Sequence, residues 1–288
     1  MSAFATRYKT ATIEGLEVFY REAGDPSNPT LLLLHGFPSS SHMFRNLITS
    51  LADEYHLVAP DHIGFGRSAM PTTTQFTYSF ERLTEITEGL IEHLGLNQFA
   101  LYIHDYGAPI GLRIASRRPE RITALITQSG NAYLEGFTPF WDILFAHAKD
   151  RAANEDGVRE YLTAAKTQWQ YTHGVPQDRL DRIAREAWLL DQAGLDRKGN
   201  DAIQLQLFWD YQFNLDSYPK YQEYFRTHQP PLLVTWGKND QIFGAAGAEA
   251  YKRDLPNGEF HLLDAGHFAL ETHGDEISRY IRDFIDRL

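Results

Sequence analysis

An aspartate stands where the chain leaves an apolar run and enters a stretch with helical spacing. The segment from Tyr102 to Pro109 reads YIHDYGAP, with Asp105 at its turn and Gly107 allowing a close approach of strand and helix. A sharp turn of this kind lifts one side chain above the edge of a sheet and sets the following N–H at a helix N-terminus, where negative charge is stabilised. Asp105 is therefore a candidate nucleophile; the alternative is that it only caps the following helix.

A second segment can supply hydrogen-bond donors beside that carboxylate. His35-Gly36-Phe37-Pro38 follows another apolar run, and its backbone can direct the N–H of Phe37 toward the point faced by the N–H of Tyr106. Two N–H groups that converge on one point form an oxyanion hole, which stabilises negative charge on an oxygen during reaction. Phe37 and Tyr106 are the predicted donors.

A histidine and a second aspartate could complete a catalytic triad. His267 lies in DAGHF after the last apolar run, and Asp240 lies in WGKND at the end of the preceding one. A histidine at the same sheet edge can act as a general base, and a carboxylate that accepts its second N–H fixes the tautomer. The alternatives are a structural histidine and a carboxylate that caps a loop.

Short apolar runs and helical stretches alternate along most of the chain, as expected for strands buried on both faces of a sheet. Residues 8–13 and 16–20 flank Glu14-Gly15 and predict a hairpin at the sheet edge. This alternation predicts an α/β fold, with a parallel sheet covered by helices on both sides. The remaining runs lie at 31–34, 56–59, 99–103, 122–127, 232–236 and 260–263, and the helical stretches at 43–51, 80–94, 110–116, 245–255 and 276–288.

The alternation stops between residues 134 and 228, where aromatic and charged residues recur at helical spacing without a β-branched run. Glycines precede this section and Pro230-Pro231 follow it, as expected for an excursion between two strands. We therefore expect a helical cap at 134–228, inserted into a core formed by 1–133 and 229–288. The tryptophans of the cap either only attach its helices to the core or also line a pocket between cap and sheet.

Composition narrows the classes of substrate and partner. The 288 residues carry a formal net charge of −11, which disfavours nucleic acid and anionic membranes as partners. The chain has no cysteine, which excludes thiolate nucleophiles, disulfides and zinc-thiolate sites. With no apolar membrane span or signal core, a cytoplasmic location is the default expectation. We expect a small, uncharged substrate and neither a metal nor an organic cofactor, while the oligomeric state stays open.

The sequence resembles the α/β-hydrolase superfamily over essentially its whole length. Nucleophile, acid and base occur in the chain order of that superfamily, here Asp105, Asp240 and His267. The matching branches are the enzymes with an aspartate nucleophile, the haloalkane dehalogenases and epoxide hydrolases. The segments that look most like the dehalogenases are HGFPSSS at 35–41, PDHIGFGRS at 60–68 and IHDYG at 103–107.

An aspartate nucleophile suits attack on an sp³ carbon, whereas serine suits an ester carbonyl. The resemblance implies that Asp105 forms a covalent alkyl ester with an epoxide or an alkyl halide. His267 would then activate the water that attacks the carbonyl carbon of Asp105, while the N–H groups of Phe37 and Tyr106 hold the oxyanion. Neither step requires a cofactor.

The two reactions differ in the group that stabilises the leaving atom. Dehalogenases usually have Trp after the nucleophile, and many have Asn after the His-Gly pair or a second Trp in the cap; here Tyr106 and Phe37 occupy the two core positions. Epoxide hydrolases show the HGFP form and protonate the alkoxide from cap tyrosines, and a neutral Tyr is a suitable acid for an alkoxide. Tyr211 is the candidate proton donor; the alternative is that it only packs the cap.

Two further cap residues are candidates for the substrate pocket, Trp141 as an N–H donor to a halide and His147 as a second donor to an alkoxide. The sequence therefore predicts an epoxide hydrolase acting on a small apolar epoxide, with a haloalkane dehalogenase as the alternative. An esterase and a non-catalytic binder of a small hydrophobic ligand are the remaining alternatives, because fold alone does not determine function.

Overall fold

An eight-stranded sheet forms the centre of the molecule. The computed structural model describes residues 5–288. The strands are β1 (Arg7–Ile13), β2 (Leu16–Ala23), β3 (Thr30–Leu34), β4 (His56–Pro60), β5 (Phe99–His104), β6 (Ile122–Gln128), β7 (Leu232–Gly237) and β8 (Glu259–Leu263). Their order across the sheet is β1-β2-β4-β3-β5-β6-β7-β8.

Antiparallel pairing is confined to one edge of the sheet. β1 and β2 form the predicted hairpin, and Glu14 and Gly15 at its turn both have positive φ, as a two-residue type I′ turn requires. β2 also pairs antiparallel with β4, whereas every pair from β4 to β8 is parallel. Because parallel neighbours need crossover connections, helices must lie between these strands. The predicted α/β class is confirmed.

Alternate residues of the central strands enter two separate apolar clusters. In β3, Leu31 and Leu33 belong to one cluster, and Leu32 and Leu34 to the other. All four side chains are fully buried. This two-sided burial explains why the strand is a continuous apolar run, since neither face meets water.

Helices cover both faces of the sheet. α1 and α12 contribute side chains to the cluster that contains Leu31, and α2, α3 and α11 contribute to the cluster that contains Leu32. The helices are α1 (Arg45–Leu51), α2 (Phe80–His93), α3 (Gly107–Arg117), α4 (Asp142–Lys149), α5 (Arg151–Arg159), α6 (Ala164–Thr172), α7 (Arg185–Leu195), α8 (Asn200–Asp210), α9 (Gln212–Leu215), α10 (Tyr218–His228), α11 (Ala245–Ala250) and α12 (Ala269–Ile285).

The last helix departs from the sequence-based boundary. The helical stretch expected from Glu276 begins at Ala269 instead. His273, at φ −130°, interrupts the helical geometry between these two positions. The kink divides the helix into two parts, and only the second part has the continuous helical spacing that the sequence pattern identified.

Seven helices, α4 to α10, lie between β6 and β7, in the interval for which a cap is expected. The structure describes all residues of this interval, and none of them forms a strand beyond an isolated bridge from Phe137 to Phe243. Phe208 of α8 packs with its ring centroid 4.9 Å from that of Phe37, so the insertion contacts the sheet edge that carries the candidate site. Within residues 5–288, none of the helices combines the length and the apolar character needed to cross a membrane.

Candidate active site

Asp105 occupies the turn between β5 and α3. Its φ of 49° lies in the left-handed region, which is strained for a residue with a side chain and is typical of functional turns. Gly107, two residues later, passes so close to Leu34 that a Cβ at this position would overlap the Leu34 carbonyl oxygen. A glycine is therefore required for the close packing of α3 on β3 that aims the Asp105 side chain out of the sheet edge.

The two predicted oxyanion-hole donors both hydrogen-bond to this carboxylate. The N–H of Phe37 donates to Asp105 Oδ1 at 2.6 Å, and the N–H of Tyr106 also hydrogen-bonds to the Asp105 side chain. A Cβ on Gly36 would overlap Asp105 Oδ1, so this loop can approach only with glycine at position 36. The Phe37 N–H thus holds Oδ1, while Oδ2 is the oxygen that faces His267.

Burial controls the protonation of Asp105, whose side chain is almost completely enclosed. The loss of hydration raises its pKa to about 6, although the charge of His267 and the N–H groups of Phe37 and Tyr106 oppose this increase. The carboxylate is therefore the dominant form only above slightly acidic pH. A poorly hydrated carboxylate of this kind is a stronger nucleophile than one exposed to water.

His267 lies between the two aspartates. Its Nδ1 is 2.9 Å from Asp240 Oδ2, and its Nε2 is 3.8 Å from Asp105 Oδ2. The Nε2 atom is buried and has no hydrogen-bond partner among the described residues. It faces Asp105 at the distance at which a water molecule bonded to Nε2 could approach the carbonyl carbon of Asp105. The structure thus brings the three predicted triad residues together.

Both carboxylate oxygens of Asp240 accept hydrogen bonds. Its Oδ1 accepts from the N–H groups of Ile242 at 2.7 Å and Phe243 at 3.2 Å, and its Oδ2 accepts from Ser129 Oγ at 2.7 Å as well as from His267. These donors stabilise a buried negative charge that would otherwise be costly. Asp240 therefore orients the imidazole as a carboxylate.

Opposing effects set the pKa of His267. Burial alone would lower it, because the protein interior disfavours the charged imidazolium. The charge and hydrogen bond of Asp240, with a smaller contribution from Asp105, outweigh burial and raise the pKa above its usual value. The buried imidazole of His267 therefore has a raised affinity for a proton.

Ser129 belongs to the site but is absent from the residues predicted from sequence. It follows β6 at the same sheet edge as Asp105 and is fully buried, with φ of 52°. Its detectable signal is a polar pair, Gln128-Ser129, at the end of an apolar run. Its function depends on the contact with Asp240, which lies far away in the chain.

The helical insertion brings Tyr211 and Trp141 against each other at the end of α8. Their ring centroids are 4.3 Å apart, and the ring of Tyr211 lies 6.0 Å from that of Tyr106. The pKa of Tyr211 is raised far above its usual value, chiefly by burial, with smaller contributions from the Tyr218 hydroxyl, to which it is hydrogen-bonded, and from the charge of Asp105. Tyr211 thus presents a protonated hydroxyl in the electrostatic field of the candidate nucleophile.

The indole N–H of Trp141 is already used by the protein. Its Nε1 donates to the carbonyl oxygen of Ile242 at 2.9 Å, and the side chain is buried. Trp141 therefore lies close to Tyr211, as expected for a pocket residue, while its N–H is directed at the loop that carries Asp240.

His147 is a buried residue of α4. Burial and then the charge of Arg151 lower its pKa, although the backbone of Leu205 in α8 acts in the opposite direction. The ring contacts of Tyr211 include Trp141 and Tyr106, but not His147. The structure thus places Trp141 beside Tyr211, and the role of His147 stays a prediction.

Aromatic side chains pack around Tyr106 and His267, which both adjoin Asp105. Phe37, Phe65 and Phe80 surround the ring of Tyr106, and Phe243 lies 6.4 Å from the His267 ring. Such walls suit an apolar ligand with few polar groups. Among residues 5–288, no group of three or more His, Asp or Glu side chains is arranged to hold a metal ion.

Comparisons with known proteins show the family to which the chain belongs. The family model described as the alpha/beta hydrolase fold matches residues 29–274. An uncharacterized hydrolase of Saccharomyces cerevisiae is 45% identical over 279 residues, which cover 95% of each chain. A haloalkane dehalogenase of Mycolicibacterium paratuberculosis is 40% identical over 288 residues, covering 92% of this chain and 86% of that protein.

Solved structures share the same architecture. The epoxide hydrolase VrEH1 from Vigna radiata superposes with a TM-score of 0.77 at 21% identity and covers 98% of both chains. At this identity the likeness establishes the fold alone. Together, the family match and the two relatives establish the class of protein: the chain is a hydrolase that belongs to the dehalogenase-like branch of the α/β-hydrolase superfamily.

Proposed function

We propose that the protein is an epoxide hydrolase that converts a small apolar epoxide to a vicinal diol through a covalent alkyl ester on Asp105. The observation that carries this proposal is the donor set in front of the carboxylate. The aromatic groups near Asp105 offer tyrosine hydroxyls, Tyr211 and Tyr106, whereas the N–H of Trp141 is bonded to the backbone. In this proposal residues 134–228 act as a cap over the core formed by 1–133 and 229–288.

In the first step, Asp105 Oδ2 attacks an epoxide carbon. The carbon–oxygen bond of the epoxide breaks, its electron pair passes to the oxygen, and Tyr211 transfers a proton to the forming alkoxide. Oδ1 stays in the hole formed by the N–H groups of Phe37 and Tyr106, which orients the carboxylate for attack. The product of this step is a hydroxyalkyl ester on Asp105.

In the second step, water hydrolyses the ester. His267 Nε2 accepts a proton from the water as its oxygen attacks the carbonyl carbon of Asp105, and Asp240 stabilises the resulting imidazolium. The negative charge that develops on Oδ1 is held by the same two N–H groups, an arrangement for which loss of one donor typically costs about 10²–10³ in rate. Collapse of the intermediate releases the diol and a proton, which restores the tyrosine hydroxyl.

Haloalkane dehalogenation is the second candidate, favoured by the dehalogenase that is 40% identical to this chain. The nucleophile, base and oxyanion hole would serve both reactions equally. They differ in the leaving group, because a halide needs donors that need not give up a proton, whereas an alkoxide needs an acid. Tyrosine hydroxyls supply the acid, and for this reason we place the epoxide first.

A variant that lacks the base distinguishes the two reactions. His267→Gln should form the ester and fail to hydrolyse it, so that an adduct accumulates. The variant is incubated separately with styrene oxide and 1-bromobutane and examined by intact mass, with the double variant Asp105→Asn/His267→Gln as the control that cannot be alkylated. An adduct from styrene oxide supports the proposal. An adduct from the bromide alone would reverse the order of the two candidates, and no adduct from either would reject alkylation of Asp105.

A further inference from the structure

Among the residues that the structure describes, none is a hydrogen-bond partner of the Tyr106 hydroxyl. The residue is buried, and within residues 5–288 no protein atom pairs with its Oη. Among the described residues the buried hydroxyl of Tyr55 also lacks a partner, but only Tyr106 adjoins the candidate nucleophile. Elsewhere, Tyr133 Oη donates to Asp254 at 2.8 Å, and Tyr251 Oη donates to the carbonyl oxygen of Gly130 at 2.6 Å. Because a buried polar group without a partner is costly, an unpaired hydroxyl beside a reactive carboxylate calls for a functional explanation.

Aromatic side chains surround the ring of Tyr106. The nearest rings are those of Phe80 at 4.8 Å, Phe37 and Tyr211, both at 6.0 Å, and Phe65 at 6.3 Å between centroids. Three of these four neighbours are phenylalanines, which cannot form an ordinary hydrogen bond. The fourth is Tyr211, the proposed acid, so the two tyrosines lie within the same group of aromatic side chains.

The residue is also anchored at the reacting centre by its backbone. Tyr106 directly follows the nucleophile, and its N–H hydrogen-bonds to the Asp105 side chain. The charge of Asp105 in turn acts on the Tyr106 hydroxyl. The ring therefore starts beside the carboxylate and lies among the aromatic side chains of Phe37, Phe80 and Tyr211.

We propose that Tyr106 Oη is a second catalytic hydrogen-bond donor, which acts with Tyr211 on the oxygen of the substrate and makes the site selective for oxygen leaving groups. This role rests on the proposed epoxide hydrolysis. It also supplies a second donor to the alkoxide, for which the beginning of the insertion offers no tyrosine. Phe140 and Phe145 are aromatic there but carry no hydroxyl.

The hydroxyls of Tyr106 and Tyr211 both contribute to opening of the epoxide ring. As Asp105 Oδ2 bonds to carbon and the carbon–oxygen bond breaks, both hydroxyls hydrogen-bond to the oxygen that gains the electron pair, and one of them transfers its proton. Hydrolysis of the ester later releases one proton, which returns to the tyrosinate, so the cycle is balanced with water as the only co-reactant. Burial, with the nearby Asp105 and Asp210 charges, raises the pKa of Tyr106 far above its usual value, so the donor stays protonated at neutral pH.

The test separates ring opening from ester hydrolysis. Tyr106→Phe is made in the His267→Gln background, in which the rate of ester formation from styrene oxide is followed by rapid quenching and intact mass. It is also made in the native background, in which the decay of the ester is followed in a single turnover. We expect ester formation to slow by roughly 10²-fold, the lower range for loss of a general acid, while ester decay keeps its native rate.

A matched control measures the effect of removing a buried hydroxyl elsewhere. Tyr133→Phe deletes a buried hydroxyl whose partner is Asp254, and it should leave both rates unchanged. Ester formation at the native rate in Tyr106→Phe would overturn the donor role while leaving the proposed function intact. Equal slowing of formation and decay would also overturn it, because a purely structural defect affects both steps. Absence of any ester with Tyr106 intact would instead reject the proposed function.

A second replacement keeps the proposal testable if Tyr106→Phe does not fold. Replacement of Tyr106 by 2,3-difluorotyrosine retains the ring and the hydroxyl and makes the hydroxyl more acidic. The rate of ester formation should then fall at lower alkaline pH than in the native protein, because the donor ionises earlier. An unchanged pH profile would overturn the proposed role.

Discussion

Ser129 Oγ donates a hydrogen bond of 2.7 Å to Asp240 Oδ2, the same oxygen that accepts from His267 Nδ1 at 2.9 Å. The serine thus shares the carboxylate charge that stabilises the imidazolium. Its left-handed φ of 52° shows that the backbone is held in a strained conformation in order to make this contact. Ser129 is a positioning residue, since it acts on the substrate only through Asp240 and His267.

Ser129→Ala should raise the pKa of His267 further, because Asp240 loses a donor and its full charge acts on the imidazole. Less of the base is then neutral at pH 7, and ester hydrolysis should slow roughly two- to tenfold, as expected for one hydrogen bond worth about 0.5–1.5 kcal/mol. The measurement is the pH profile of ester decay in a single turnover. The pH below which ester decay slows should be higher in the variant than in the native protein.

Ser129→Gly is the matched control for backbone strain. It also lacks the hydroxyl but adopts positive φ without cost. The two variants should therefore share the same pH profile, while the glycine variant is the more stable in chemical denaturation. Two different pH profiles would show that backbone strain, and not the hydrogen bond to Asp240, determines the effect.

The rate of ester formation should depend on the protonation of Asp105. Burial raises the pKa of this carboxyl to about 6, so a growing fraction is neutral and unreactive as the pH falls below that value. We expect the rate in His267→Gln to decrease roughly tenfold per pH unit below the apparent pKa, shifted to higher pH by loss of the histidine charge. The rate of ester formation is measured by rapid quenching at pH values from about 5 to about 8. A rate that stays constant across this range would show that Asp105 is ionised throughout.

Trp141→Phe distinguishes a structural indole from a halide ligand. The substitution leaves the carbonyl oxygen of Ile242 without its donor, and we expect the free energy of unfolding to fall by about 1–3 kcal/mol. The rates of ester formation from styrene oxide and from 1-bromobutane should change in the same proportion. Selective loss of the reaction with the bromide would identify the Trp141 N–H as a halide donor and favour the dehalogenase.

The free energy of unfolding should depend on pH through the titration of Asp191. This side chain of α7 is buried and accepts a hydrogen bond of 2.5 Å from Tyr171, whose ring stacks on Phe268 at 3.9 Å between centroids. Burial raises its pKa from 3.8 to about 7. Because the folded state binds this proton more tightly than the unfolded state, the contribution favours folding at low pH and is lost as the pH rises from about 4 to about 7.

Asp191→Asn removes the charge and retains an oxygen that can accept from Tyr171. The stability of the variant relative to the native protein should therefore increase across this pH interval, by more than about 1 kcal/mol, and level off above it. Urea unfolding at several pH values measures the difference. Asp156→Asn, an exposed carboxylate, is the control and should show no such trend. A difference for Asp191→Asn that is constant with pH would contradict a buried, titrating carboxyl.

Much of the fold is predictable from sequence because strand burial and crossover connections leave local patterns. Leu31 to Leu34 are continuously apolar since both faces of β3 are covered, and Glu14-Gly15 have the residue types for a tight turn. The predicted boundary of the last helix is wrong for an equally local reason: the kink at His273 separates its first turns from the regular stretch. The division into core and cap, and the roles of the site residues, stay predictions.

What the sequence by itself determined is the α/β class and the order of Asp105, Asp240 and His267 along the chain, because each lies at the end of an apolar run and parallel strands end at one edge. Only the tertiary structure decided which groups meet there. It turned the Trp141 N–H toward Ile242, placed His147 against α8, and joined Ser129 to Asp240. These contacts depend on how helices pack across the sheet edge, and such packing leaves no periodic signal in the chain.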